Sequence, residues 1–148
     1  MEQYGYVGKI LRVNLTTGEK EVFPTEKYVD GFMGSKGLAA KIYWEEVGPE
    51  VKPFDPENKL IFASGPANGT GANSSGKGSL AGKSPVWYPV SSFTHSTTGN
   101  FTPTMKRAGF DAIIIEGKAE HPVYLWICDG HVEIRDGRDL WGKTTRNA

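Results

Sequence analysis

Ala112-Ile113-Ile114-Ile115-Glu116, then Val123-Tyr124-Leu125-Trp126-Ile127-Cys128, Asp129-Gly130 and Val132-Glu133-Ile134-Arg135, is the stretch on which the fold turns. Its β-branched and aromatic runs are short and read as strands. Asp-Gly between apolar runs is a strong hairpin signal, because the favoured two-residue turn needs positive φ at both positions. Val132–Arg135 is therefore the returning partner. Upstream, Val7, Leu11, Val13 and Leu15 recur at even spacing, and Thr16-Thr17-Gly18 turns the chain before Glu19–Phe23. This opening reads as another hairpin. Lys59–Ala63 reads as a short buried strand, and Trp87 to Phe93 as one more, demoted by Pro89. Pro24-Thr25-Glu26 resembles a helix start, with Tyr28, Val29, Phe32 and Met33 as its apolar stripe. Gly34-Ser35-Lys36-Gly37 interrupts it, and a second short helix from Leu38 to Val47 turns Leu38, Ala39, Ile42 and Tyr43 inward. Pro49, Pro53 and Pro56 mark a loop. Residues 94–104 are polar and read as loop, with a single helical turn at Met105–Ala108. The class is α+β, mostly β, with two or three short helices.

The 148 residues carry no net charge, Lys+Arg 17 against Asp+Glu 17. One domain fits that length. Balanced charge argues against a nucleic-acid or anionic-membrane surface. The longest apolar run, Ala112 to Ile115, is far too short to span a bilayer, and the opening residues lack the pattern of a signal peptide. The reading is cytoplasmic, and the Asn-x-Ser/Thr sequons at Asn14, Asn68, Asn73 and Asn100 are chance. The single cysteine, Cys128, excludes an internal disulfide framework and any Cys-rich zinc or iron–sulfur site made by this chain alone. Glycine is the outlier: 19 of 148 residues, against a usual share of about 7%.

Six of those glycines lie between Gly65 and Gly82. Gly71-Ala72-Asn73-Ser74-Ser75-Gly76-Lys77 matches the front of a phosphate-binding P-loop, in which backbone N–H groups cradle phosphate. Gly78 stands where Ser or Thr should bind magnesium, and Ser79 to Pro85 does not suit the helix that should follow. Two readings remain: a flexible surface loop, or a loop whose backbone approaches a bulky anion because glycine removes the blocking Cβ. Ser35–Leu38 amides could likewise face an anion beside Lys36, although Gly and Ser there also suit a plain cap junction. His95 sits among hydroxyls, but no carboxylate within its loop orients it for nucleophilic catalysis; Asp111 is the nearest. Cys128 reads as a small buried hydrophobe and the four tryptophans as core anchors.

Taken in order, these segments resemble the tungsten-containing aldehyde:ferredoxin oxidoreductases. The resemblance is carried by Gly5–Gly18, Pro56–Pro66, Lys83-Ser84-Pro85, Ala108–Glu120, Pro122-Val123-Tyr124 and Val132–Asp136, collinear over essentially the whole chain. It implies an N-terminal domain of twisted antiparallel sheets, saddle-like beneath a bis-pterin tungsten or molybdenum cofactor with bridging magnesium. It also implies oxidation of a small aldehyde to a carboxylic acid, with electrons passed to ferredoxin. The 4Fe-4S cluster of the family belongs to later domains, so residues 1–148 read as one pterin-cradling domain cut short before them.

The resemblance assigns the cofactor-binding residues Lys36, Gly76, Lys77, Gly78, Ser96, Thr97, Thr98 and Gly99, and no catalytic residue. Lys77 and Lys36 stand where the family usually has arginine, which keeps the charge but loses the bidentate fork. The family's Asn-Ser-Gly-Gly-Tyr-Phe-Gly stretch aligns with Ser96–Thr102, where Gly99 and Phe101 match. The partners implied are the remaining domains or a partner subunit, and a homo-oligomer is compatible. A free-standing, non-catalytic module for binding or subunit interaction is the alternative.

Overall fold

The computed structural model describes residues 5–86, 93–144 and 146–147. Among the described residues, eight strands form two sheets. They are β1 (Lys9–Asn14), β2 (Lys20–Pro24), β3 (Leu60–Ala63), β4 (Ser79–Lys83), β5 (Phe93–Thr97), β6 (Ala112–Glu116), β7 (Val123–Cys128) and β8 (His131–Asp136). The helices are α1 (Glu26–Val29), α2 (Ser35–Glu46) and α3 (Phe101–Arg107). The larger sheet has the order β2-β1-β6-β3-β4-β5, and β7 pairs with β8. Neighbours run antiparallel except β1 and β6, which run parallel with Ile10 opposite Ala112. The mostly-β class with short helices holds.

β6 sits near the middle of the larger sheet, and its sequence says why. A strand covered on both faces is apolar without alternation, and Ala112, Ile113 and Ile114 are all buried. Ile114 faces Ile10, Ile61 and the α2 residues Leu38, Ala39 and Ile42. Ile113 faces the other way, toward Leu11, Val13, Met105 and Phe110, with Leu125, Ile127, Val132 and Ile134 of the β7–β8 hairpin packed on them. One helix covers one face; the hairpin and α3 cover part of the other.

Several local readings are corrected. The α1 stripe breaks after Val29: Phe32 and Met33 are 39% and 76% exposed, because the helix ends before Gly31. Ser79–Lys83 is a strand, not the end of a loop, and pairs with β3 and β5. Its small residues permit close packing. An ideal Cβ on Gly82 would lie 2.7 Å from the Lys59 carbonyl. Residues 93–97 are a strand as well, β5, whose outer half is exposed. The helical turn starts earlier, at Phe101, and Pro103 is tolerated because its missing N–H falls in the first turn. Trp44 and Trp141 are 86% and 78% exposed rather than core anchors, and Cys128 is exposed at the end of β7. Of the strand expected over Trp87 to Phe93, residues 87–92 lie outside the described residues.

A charged cluster ties α2 to the sheet. Arg12 reaches both carboxylate oxygens of Glu46 at 2.7 and 2.8 Å. The Tyr28 hydroxyl donates to Glu46 at 2.9 Å, and Lys59 bridges Glu46 and Glu116. Burial opposes ionisation of Glu46, but Tyr28, Arg12 and Lys59 outweigh it and hold the carboxyl below its ordinary value of 4.5. A depressed folded-state value means the stabilisation is complete above the unfolded value and disappears as pH falls through the folded one. Urea stability should therefore decline below a pH of about 4.5, and Glu46→Gln should flatten that decline. An unchanged acid slope in the variant would remove Glu46 from the account.

Candidate functional site

The glycine-rich segment leaves β3 at Ser64, runs over α3 and returns as β4. Its first corner is buried. The Ser64 N–H and hydroxyl both donate to the Asp111 carbonyl, at 2.9 and 2.8 Å. The start of α2 docks on the same corner: the Ser35 N–H donates to the Ser64 carbonyl at 2.7 Å. Gly34 there has φ 134°, and an ideal Cβ on it would lie 2.6 Å from the Ser64 oxygen. That junction requires glycine for its conformation and its close approach alike. Lys36 follows on the first turn of α2 with its side chain exposed.

Lys106, on α3, secures the loop from the other side. Its ammonium donates to the carbonyls of Gly5, Gly65 and Pro66. Burial pushes its pKa down, with Asp111 opposing the shift. Asn68, 5% exposed, crosses the loop from Gly65 to Ser75 and Lys77.

The far limb meets the end of β5. The Thr98 N–H donates to the Gly78 carbonyl at 3.2 Å, and the Gly78 N–H donates to Thr98 Oγ1 at 3.3 Å. The hydroxyls of Thr98 and Thr102 lie 3.2 Å apart. Gly78 is thus turned inward and spends its N–H on Thr98. Gly76 is turned outward, with Asn100 Oδ1 3.6 Å from where a Cβ would stand. Ser96 and Thr97 are exposed on β5 opposite Leu80 and Ser79, and Gly99 takes φ 57° at the turn into α3. The fold therefore brings Gly76, Gly78, Thr98 and Gly99 into one neighbourhood.

Between this loop and α3 runs a cleft of about 650 Å³, walled by residues 69 and 71–76 on one side and by Asn100, Pro103, Thr104 and Arg107 on the other. Arg107 carries no signal in the local sequence, where residues 105–108 read as a single helical turn. Its position on the face of α3 toward the loop emerges only in the fold. Neither the Gly76 nor the Lys77 N–H has an acceptor among the described residues. Gly76 and Arg107 line the cleft, so it offers a free backbone donor and a guanidinium, a donor set suited to phosphate oxygens. A strand follows this loop instead of a helix, so it is not a P-loop. His95 is exposed on the edge strand β5. The Asp111 carboxylate is taken by Val7, Gly8 and Thr25 and is unavailable to orient that imidazole. No group of three or more His, Cys, Asp or Glu able to hold a metal occurs among the described residues.

An apolar groove of about 370 Å³ adjoins the cleft across α3, with Thr104 lining both. Phe62, Phe101, Ile113, Ile115 and Leu125 form its walls. No helix among the described residues is long and apolar enough to cross a membrane.

Residues 10–148 match the family described as aldehyde ferredoxin oxidoreductase, N-terminal domain. The chain is 48% identical over 141 residues to a tungsten-containing aldehyde ferredoxin oxidoreductase of Pyrococcus abyssi, a match that covers 95% of this chain and 23% of that protein. It is 41% identical over 143 residues to the WOR-like subunit of an aliphatic sulfonate oxidoreductase of Pyrococcus furiosus, covering 94% and 22%. Among solved structures, the active site complex BamBC of benzoyl coenzyme A reductase with 1,5-dienoyl-CoA superposes with a TM-score of 0.87 at 41% identity, over 95% of this chain and 21% of that one. The chain therefore spans less than a quarter of the length of these relatives.

Proposed function

Since the chain belongs to the aldehyde ferredoxin oxidoreductase family as an N-terminal domain, we propose that it cradles the bis-pterin tungsten or molybdenum cofactor of a cytoplasmic enzyme that oxidises an aldehyde to a carboxylic acid and delivers the electrons to ferredoxin. The observation that carries this reading is the cleft lined by Gly76 and Arg107, where the Gly76 N–H has no acceptor among the described residues and the exposed Lys77 follows it in the chain. The cofactor supplies the two-electron redox chemistry, and the protein supplies position and charge. The Gly76 and Lys77 amides would take cofactor phosphate oxygens, and Lys77 would neutralise them from the exposed rim. Arg107 would provide the planar fork that lysine lacks. Lys36 would add positive charge at the start of α2, and Ser96 to Gly99 would border the pterin edge. Bridging magnesium and the 4Fe-4S cluster would need groups beyond this donor set.

The apolar groove beside the cleft supports packing against the rest of such an enzyme. A two-stranded hairpin is marginal by itself, and β7–β8 leaves Leu125 and Ile127 lining an open wall. The remaining domains of the enzyme, carrying the cluster and most of the substrate cavity, would cover that wall.

Metal and pterin analysis of the full-length protein, made with tungstate or molybdate in a host that synthesises the pterin, tests the reading. Both should co-purify, and their absence from the full-length form would overturn it. In that holoprotein, Lys77→Ala and Arg107→Ala should each speed cofactor loss about tenfold, as expected for one charge-assisted hydrogen bond worth about 1.4 kcal/mol. Unchanged retention would remove the substituted side chain from the site.

A further inference from the structure

Asn68 makes more hydrogen bonds across the glycine-rich segment than a surface turn requires. Its Oδ1 accepts the Gly65 N–H at 2.8 Å. Both hydrogens of its Nδ2 are engaged, one by the Ser75 carbonyl at 2.5 Å and one by the Lys77 carbonyl at 3.1 Å. The side chain is 5% exposed, so these bonds form with little competition from water. One amide thus joins the outgoing limb of the loop to the returning one.

The consequence for the cleft follows from peptide geometry. A trans peptide is planar, and its C=O and N–H point in opposite directions. Holding the Ser75 carbonyl inward turns the Gly76 N–H outward. Holding the Lys77 carbonyl inward turns the Gly78 N–H away from Asn68, where Thr98 Oγ1 accepts it at 3.3 Å. Asn68 therefore sets which way the 75–76 and 77–78 peptide units face. Lys106 does not duplicate this, because it holds Gly65 and Pro66 at the other end of the loop. A carboxylate could not substitute either. It would keep the acceptor for Gly65 but set a negative oxygen against two carbonyls.

We propose that Asn68 is the positioning residue of an oxyanion cradle, orienting the 75–76 peptide so that its outward Gly76 N–H receives a phosphate-type anion. This rests on the reading of the loop as a phosphate site, and the test separates the two.

Wild type and the Asn68→Asp and Asn68→Ala variants would be compared by amide hydrogen exchange and by titration with inorganic pyrophosphate, followed through backbone amide shifts. The proposal expects exchange in β1, β3 and β6 to be unchanged in Asn68→Asp. It expects the Gly78 N–H to exchange at least tenfold faster and pyrophosphate to bind at least tenfold more weakly. Unaltered Gly78 exchange in both variants would overturn the positioning role. Where a variant fails to fold, the wild type still decides: the Asn68 side-chain NH2 should be protected, and free exchange there would overturn the proposal. Altered exchange with no pyrophosphate binding by wild type would instead overturn the phosphate site.

Discussion

Asp111→Ala should unfold at a much lower urea concentration than the wild type. Asp111 is fully buried, and its carboxylate accepts the Val7 and Gly8 N–H groups at 3.0 and 2.7 Å and the Thr25 hydroxyl at 2.8 Å. Thr25 is itself fully buried. Alanine would strand these donors at once, and a buried donor without a partner costs about 1–3 kcal/mol. With some water reaching the exposed Val7 and Gly8, the loss should be about 3–5 kcal/mol, a large part of a typical stability of about 5–15 kcal/mol. The residue also holds two elements through its backbone, since its N–H donates to Lys9 and its carbonyl receives Ser64. Those bonds survive the substitution, so the deficit should be reported as lost stability and not as a different fold. Asp111→Asn keeps one acceptor oxygen and should fall between the two. Urea denaturation decides; an Asp111→Ala chain within about 1 kcal/mol of wild type would show that the cluster is dispensable.

The second large effect separates two glycines that lie two positions apart. Gly78→Ala would place its Cβ 2.5 Å from Thr102 Oγ1 and 2.6 Å from the Ala63 backbone oxygen. A side chain can rotate away, but a strand carbonyl cannot, so β3, β4 or the start of α3 must move. Overpacking of this kind costs about 1–3 kcal/mol and more where backbone is the obstacle. Gly76→Ala meets nothing closer than Asn100 Oδ1 at 3.6 Å. It should leave thermal stability nearly unchanged while weakening pyrophosphate binding, because the methyl stands where the anion approaches. The pair of melting curves and titrations checks this. Equal destabilisation by both substitutions would show that Gly76 is packed and not presented.

The glycine excess of the sequence thus divides into different physical roles. Gly34 and Gly78 permit close backbone contacts inside the fold, while Gly76 keeps a surface open. Composition cannot separate these roles, because each depends on what lies opposite the missing Cβ. The same is true of β4 and β5. Ser79-Leu80-Ala81-Gly82-Lys83 carries no run of large apolar residues, since part of it packs closely beneath α2 and against β3. Phe93–Thr97 is polar because it is an edge strand. Neither has the local pattern that makes β6 and the β7–β8 hairpin readable. In the sequence Asn68 is one sequon among several, and Arg107 is one polar residue of a short helical turn.

By itself, the sequence determined the strands with strong local signals, the Asp129-Gly130 hairpin, the inward face of α2 and the family. These depend on residue spacing, turn chemistry and collinear motifs, all of which are properties of the chain read in order. Only the tertiary structure decided that Arg107 faces the glycine-rich loop, that Gly78 is internal while Gly76 is presented, and that Asn68 sets the direction of the 75–76 and 77–78 peptides. Those are matters of which groups meet across the fold. A carbonyl's direction or the space beside a glycine is fixed by partners distant in sequence, and local periodicity carries no record of them.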